Sequence, residues 1–69
     1  MFDEKRFRAA VVMSGLKMRD VAAELGIDSA TLYRKMNGKS DFYRNEIQNL
    51  CELLDIKDPT LIFFAPNVT

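Results

Sequence analysis

Residues 18–38 constrain this chain more than any other stretch, because two helical apolar patterns stand there with only Gly26, Ile27 and Asp28 between them. Val21, Ala22 and Leu25 fall on one stripe of a short helix beginning near Met18. Gly26 stands where a left-handed residue closes a last helical turn, and Ile27 after it is placed to fold back onto the apolar side. Asp28 opens the next helix: its carboxylate can accept from the backbone amide of residue 30 or 31, and its charge suits the positive helix end. Leu32 and Met36 form the inner line of that second helix, and Asn37-Gly38 ends it. Helices joined so tightly must cross steeply, with small Ala22 permitting close approach while Leu25, Ile27 and Leu32 fill the angle.

A hairpin packed for stability alone would account for Ala22 and Gly26. The longer constellation, Val21-Ala22-x-x-Leu25-Gly26-Ile27 with Leu32 and then Asn37-Gly38-Lys39, is more specific. In it the sequence resembles the Cro/CI-type helix-turn-helix repressors of the xenobiotic-response-element class, especially the short regulators of temperate phages, from about Phe7 to Leu61. The resemblance implies an all-α, five-helix, lambda-repressor-like domain over residues 1–69 that binds double-stranded DNA. It also departs from the family in places. Where many members pair a buried arginine with a buried glutamate, this chain has Val11 and Met36, which removes both charges together and leaves neither unpaired. Those two residues are expected to touch. Met18 replaces the glutamine that commonly begins the first motif helix, and Lys17 is a poor cap for it. Lys35 stands at an often apolar place, its stem expected along the core and its ammonium at water or phosphate.

By the same resemblance the second motif helix, 29–37, lies in the major groove. Ser29, Ala30 and Arg34 match its base-facing positions and Tyr33 lies beside them. Arg34 is the foremost base reader, since a guanidinium gives two parallel hydrogen bonds to guanine N7 and O6. Ala30 suits a thymine methyl, and Ser29 can donate or accept. Tyr33 is either a phosphate donor or rim packing. Lys17, Arg19, Asn37, Lys39, Ser40 and Arg44 are the expected phosphate contacts, which set position rather than specificity.

Charge is the objection to such a partner. Ten basic and ten acidic residues cancel, yet residues 29–44 carry Arg34, Lys35, Lys39 and Arg44 against Asp41, a local +3, while residues 45–58 reach −3. The molecule is therefore expected to be polarised. Zero histidines and one cysteine leave no zinc set and no Ser-His or Cys-His pair, so neither an enzyme, a cofactor nor a small-molecule substrate is expected. No apolar run reaches membrane-spanning length, and Met1-Phe2-Asp3-Glu4 is acidic where a secretion signal is basic, which points to the cytoplasm.

Outside the motif, Asp3 can cap a first helix running to about Ser14, with Phe7, Val11 and Ser14 on its inner line, Ala10 beside them, Arg6 and Arg8 outward and Gly15 closing it. Residues 39–44 read as a loop, followed by a capping box with Asn45 as cap and Gln48 reaching back. Ile47, Leu50, Cys51 and Leu54 then make a scaffold stripe in which Cys51 is a small buried hydrophobe. Asp58-Pro59 starts a short fifth helix. Leu61, Ile62, Phe63 and Phe64 are apolar all round and also permit a strand up to Pro66, giving a short extended tail. A dimerisation tail over about 58–69 is expected from them, a symmetric homodimer interface; the alternatives are a tail folded back over Phe7 and Leu54 in its own chain, or a mixture with Leu61 inward and Phe63 or Phe64 outward. The expected function is transcriptional regulation by occupying an operator as a dimer. The alternative is a protein-interaction module of the same fold, an anti-repressor or antitoxin-like partner.

Overall fold

Every helix of this protein begins where a carboxylate accepts a backbone amide near its first turn. Asp3 accepts from the Arg6 amide at 3.1 Å, Asp20 from Lys17 at 2.9 Å, Asp28 from Thr31 at 2.7 Å, Glu46 from Tyr43 at 2.8 Å and Asp58 from Thr60 at 3.0 Å. Each bond satisfies an amide near a helix start, which carries no intrahelical partner, and sets a negative charge against the positive end of the helix. A computed structural model describes residues 1–64, and among them finds helices only: α1 (Glu4–Met13), α2 (Met18–Leu25), α3 (Ser29–Met36), α4 (Arg44–Leu53) and α5 (Thr60–Phe63). None of them is long and apolar enough to cross a membrane. The expected extended tail beyond Phe64, up to Pro66 and on to residue 69, lies outside the described residues.

The core draws two buried apolar residues from each segment in turn: Phe7 and Val11, Val21 and Ala22, Leu32 and Met36, Leu50 and Leu54, Ile62 and Phe63. Helix α2 packs on both α3 and α4, and α1 packs on α5. Gly26 takes φ +71° and the Ile27 amide donates to the Ala22 carbonyl at 3.0 Å, so the turn between α2 and α3 closes as a left-handed cap with half-buried Ile27 folded back on the core. Val11 and Met36 are both buried in this cluster.

Four local expectations are corrected. Ser14 is exposed, its hydroxyl donating to the Ala10 carbonyl at 2.9 Å instead of extending the inner line. Helix α4 starts at Arg44, inside the expected loop, with Tyr43 at the cap position but its side chain making no cap bond, and Glu46 reaching back as was expected of Gln48. Glu46 wins because its carboxylate has a second use beneath the helix, described below. The third correction is at the C-terminal helix: Ile62 and Phe63 point inward, each 7% exposed, whereas Leu61 (46%) and Phe64 (60%) face out. Phe63 is drawn in by a cluster of rings, with centroids 5.6 Å from Phe2, 5.4 Å from Phe42 and 6.4 Å from Phe7. The Asp3 amide donates to the Ile62 carbonyl at 2.6 Å and locks the same corner. Fourth, the Lys35 ammonium does not reach solvent; the whole side chain is buried.

Candidate nucleic-acid interface

Helix α3 has two sharply different faces. Leu32, Lys35 and Met36 are buried, while Ala30, Tyr33 and Arg34 are exposed and Ser29 is half-buried. Residues 29 and 33, and 30 and 34, are one turn apart, so the four expected base-facing residues share the outward side. The N-terminal end of that side is fixed by Asp28, whose carboxyl is held below its ordinary range by hydrogen bonding to Thr31, with the Arg34 charge assisting. This is the end a recognition helix turns toward base edges.

The far end of α3 is closed by Gly38 at φ +80°, after which the Lys39 amide donates back to the Arg34 carbonyl at 3.0 Å. The chain thus turns at the tip of the helix and delivers exposed Asn37, Lys39 and Ser40 there. Exposed Arg44 follows as the first residue of α4. Lys17 and Arg19, also exposed, stand at the start of α2, which is packed against α3. All ten expected DNA-facing residues thereby stand on α2 and its N-cap, on α3, on the α3–α4 connection and at the first residue of α4.

Two contacts escaped the sequence reading. Arg8 of α1, expected to be merely outward, carries its guanidinium 5.8 Å from the centre of the Tyr33 ring while its Nε donates to Glu4 at 3.0 Å. Tyr33 is therefore braced from α1 by a cation over its ring. No sequence signal joins them, because the contact spans 25 residues. The second is the pair of Lys35 and Glu46. The Lys35 ammonium lies 3.0 Å from Glu46 Oε1, donates to the Asp41 carbonyl at 2.9 Å and sits 4.1 Å from the centre of the Tyr43 ring. Both side chains are buried, so the ion pair links α3 to α4 out of water. The lysine at an otherwise apolar position was the available clue, and its partner was hidden by the misplaced helix start.

The cations are unevenly engaged. Of the ten lysines and arginines, Arg6, Arg8, Lys35 and Lys57 are held in ion pairs, with Asp3, Glu4, Glu46 and Asp55. Lys17, Arg19, Arg34, Lys39 and Arg44 make none among the described residues, and Lys5 is the sole cation outside the expected interface of which this is also true. Seven of the ten acids hold structure: Asp3, Asp20, Asp28, Glu46 and Asp58 at helix starts and Glu4 and Asp55 in ion pairs.

Comparison with the curated proteins and with the solved structures gives no match. The family model of the Cro/C1-type HTH DNA-binding domain matches residues 12–63, from the end of α1 through α5, and so covers most of the chain. With the left-handed turn between α2 and α3, the outward face of α3 and a match of that extent, the chain belongs to the Cro/C1-type helix-turn-helix DNA-binding family.

Proposed function

We propose that this protein is a transcriptional regulator that binds a short operator in double-stranded DNA as a homodimer, in the manner of a phage repressor or a Cro-like antagonist. The concentration, among the described residues, of cations without an ion pair around α2, α3 and the α3–α4 connection carries this reading: a protein that neutralises phosphates needs cations free to leave water for DNA, and five of the six stand from the N-cap of α2 to the first residue of α4. Helix α3 enters the major groove with Ser29, Ala30, Tyr33 and Arg34 toward base edges. Lys17, Arg19, Asn37, Lys39, Ser40 and Arg44 grip the backbone on either side. Regulation is steric, by occupancy.

The homodimer uses Leu61 and Phe64, the two residues of the C-terminal apolar run that remain exposed. Ile62 and Phe63 support the contact from within the core. A second reading, a protein-interaction module of the same fold, is favoured by exposed Met13 at the end of α1, which lines one groove with Leu61.

Selection of binders from a pool of random duplexes decides between them. A regulator enriches a two-fold symmetric sequence with half-sites one helical turn apart, about 34 Å. Failure to enrich any sequence, with binding at low salt no stronger than that of a neutral protein, would favour the interaction module.

A further inference from the structure

The Lys35–Glu46 pair does more geometrically than fill the core. A single atom, Glu46 Oε1, accepts both from the Lys35 ammonium at 3.0 Å and from the Tyr43 amide at 2.8 Å, so the cap of α4 and the inner face of α3 share one acceptor. The same ammonium takes the Asp41 carbonyl at 2.9 Å and lies over the Tyr43 ring. Three bonds from two side chains thus fasten the connection between α3 and α4 at residues 41, 43 and 46, the same stretch that carries exposed Lys39, Ser40 and Arg44. The Lys39 amide on the Arg34 carbonyl is the fastening at the other end. No buried side-chain polar atom among the described residues is left without a partner, so the node is complete.

We infer that Lys35, which cannot itself reach DNA, is a positioning residue for phosphate binding: its buried ammonium holds residues 39–44 in the place where Lys39, Ser40 and Arg44 meet the backbone beside α3. The inference rests on the DNA-binding reading above. An apolar residue at position 35 would fill the same space, yet it would leave the Asp41 carbonyl untied and the connection free to move. Lys39 and Arg44 would then have to be ordered at the moment of binding, which weakens their contribution.

The test compares Lys35→Met alone with Lys35→Met combined with Glu46→Gln. The single change leaves a buried carboxylate unpaired and destabilises the fold. The double change removes both charges and keeps an acceptor for the Tyr43 amide, so thermal stability recovers much of the loss. Neither variant remakes the tie to Asp41. Binding to a mixed-sequence duplex is followed against salt for the wild type and for the double variant, well below its Tm. The wild type is expected to give a steep log–log dependence, and the double variant a slope smaller by about one to two units, as loss of one or two phosphate contacts requires. A double variant that recovers stability and binds with the wild-type slope overturns the inference and leaves the lysine a purely structural residue. If instead the wild type shows no salt-dependent binding, the DNA-binding reading falls and this inference with it. Should the double variant fail to fold, Lys35→Met combined with Glu46→Leu is read the same way: it replaces the whole buried pair by apolar side chains and likewise removes the tie to Asp41, and an unchanged slope in it overturns the inference as well.

Discussion

Arg34 is exposed, makes no ion pair among the described residues and lies one turn from Ala30 on the outward face of α3. Replacing it with alanine is expected to cost roughly 1–3 kcal/mol of binding, concentrated at one base pair of each half-site, because a bidentate contact to guanine is lost there. Titration of the selected operator and of its single-base variants checks this; a loss spread equally over all sequences would make Arg34 a phosphate contact. Asp28 has a different task. Its carboxyl sits below the ordinary value of 3.8 in the folded chain because Thr31 hydrogen-bonds it. The ionised form is thus favoured by folding, and its contribution is present above that value and lost as pH falls through the lower folded value. Asp28→Ala is expected to lower Tm by roughly 4–8 °C at neutral pH, the effect of losing one cap in a domain of this size. Thermal melts down to about pH 2 should show the gap to wild type narrowing in acid.

Within α5 the four-residue pattern is read by orientation alone. Phe63 belongs to a ring cluster with Phe2, Phe7 and Phe42, whereas the neighbouring Phe64 is 60% exposed. Deleting the buried ring should cost roughly 3–5 kcal/mol, enough to unfold much of the population of so small a domain, while Phe64→Ala should stay within about 0.5 kcal/mol. Urea titration of both variants separates these outcomes, and equal effects would mean that α5 packs the other way round. The helix starts teach a related lesson. Asp3, Asp28 and Asp58 were legible as caps because a short acid stands next to an apolar pattern. Asp20 and Glu46 were not, since each reaches back to a residue, Lys17 or Tyr43, whose own side chain is no cap.

For the molecule as a whole, the described residues extend 33 × 24 × 19 Å and present one α3 helix. One such unit reads one groove, and reading two grooves about 34 Å apart needs a second copy. Leu61 and Phe64 are the residues expected to join them. The double change Leu61→Ser with Phe64→Ser touches no core residue and should leave the melting curve nearly intact, while sedimentation at high micromolar concentration shifts from dimer toward monomer. Operator affinity should fall with it, and the half-site affinity should not. A variant that remains dimeric moves the interface elsewhere, with exposed Val12 and Met13 the next residues to replace.

The helix-turn-helix itself was written in the chain, because everything that specifies it acts over one or two turns: the 3.6-residue stripe of Val21, Ala22 and Leu25, the left-handed Gly26, the cap at Asp28, and Leu32 with Met36 on the next inner face. The base-facing assignment of Ser29, Ala30, Tyr33 and Arg34 came from the resemblance to the family, and an inner line of Leu32 and Met36 agrees with it. What local pattern could not decide were contacts between segments distant along the chain. Whether Phe63 or Phe64 turned inward depended on rings contributed by Phe2, Phe7 and Phe42, so an all-apolar run carried no periodicity from which to choose. Lys35 read as a surface cation because a lysine is buried only when a particular acid meets it, and that acid, Glu46, arrives from another helix. Burial of a charge is a property of the pair and its surroundings, and only the packed molecule brings the two together.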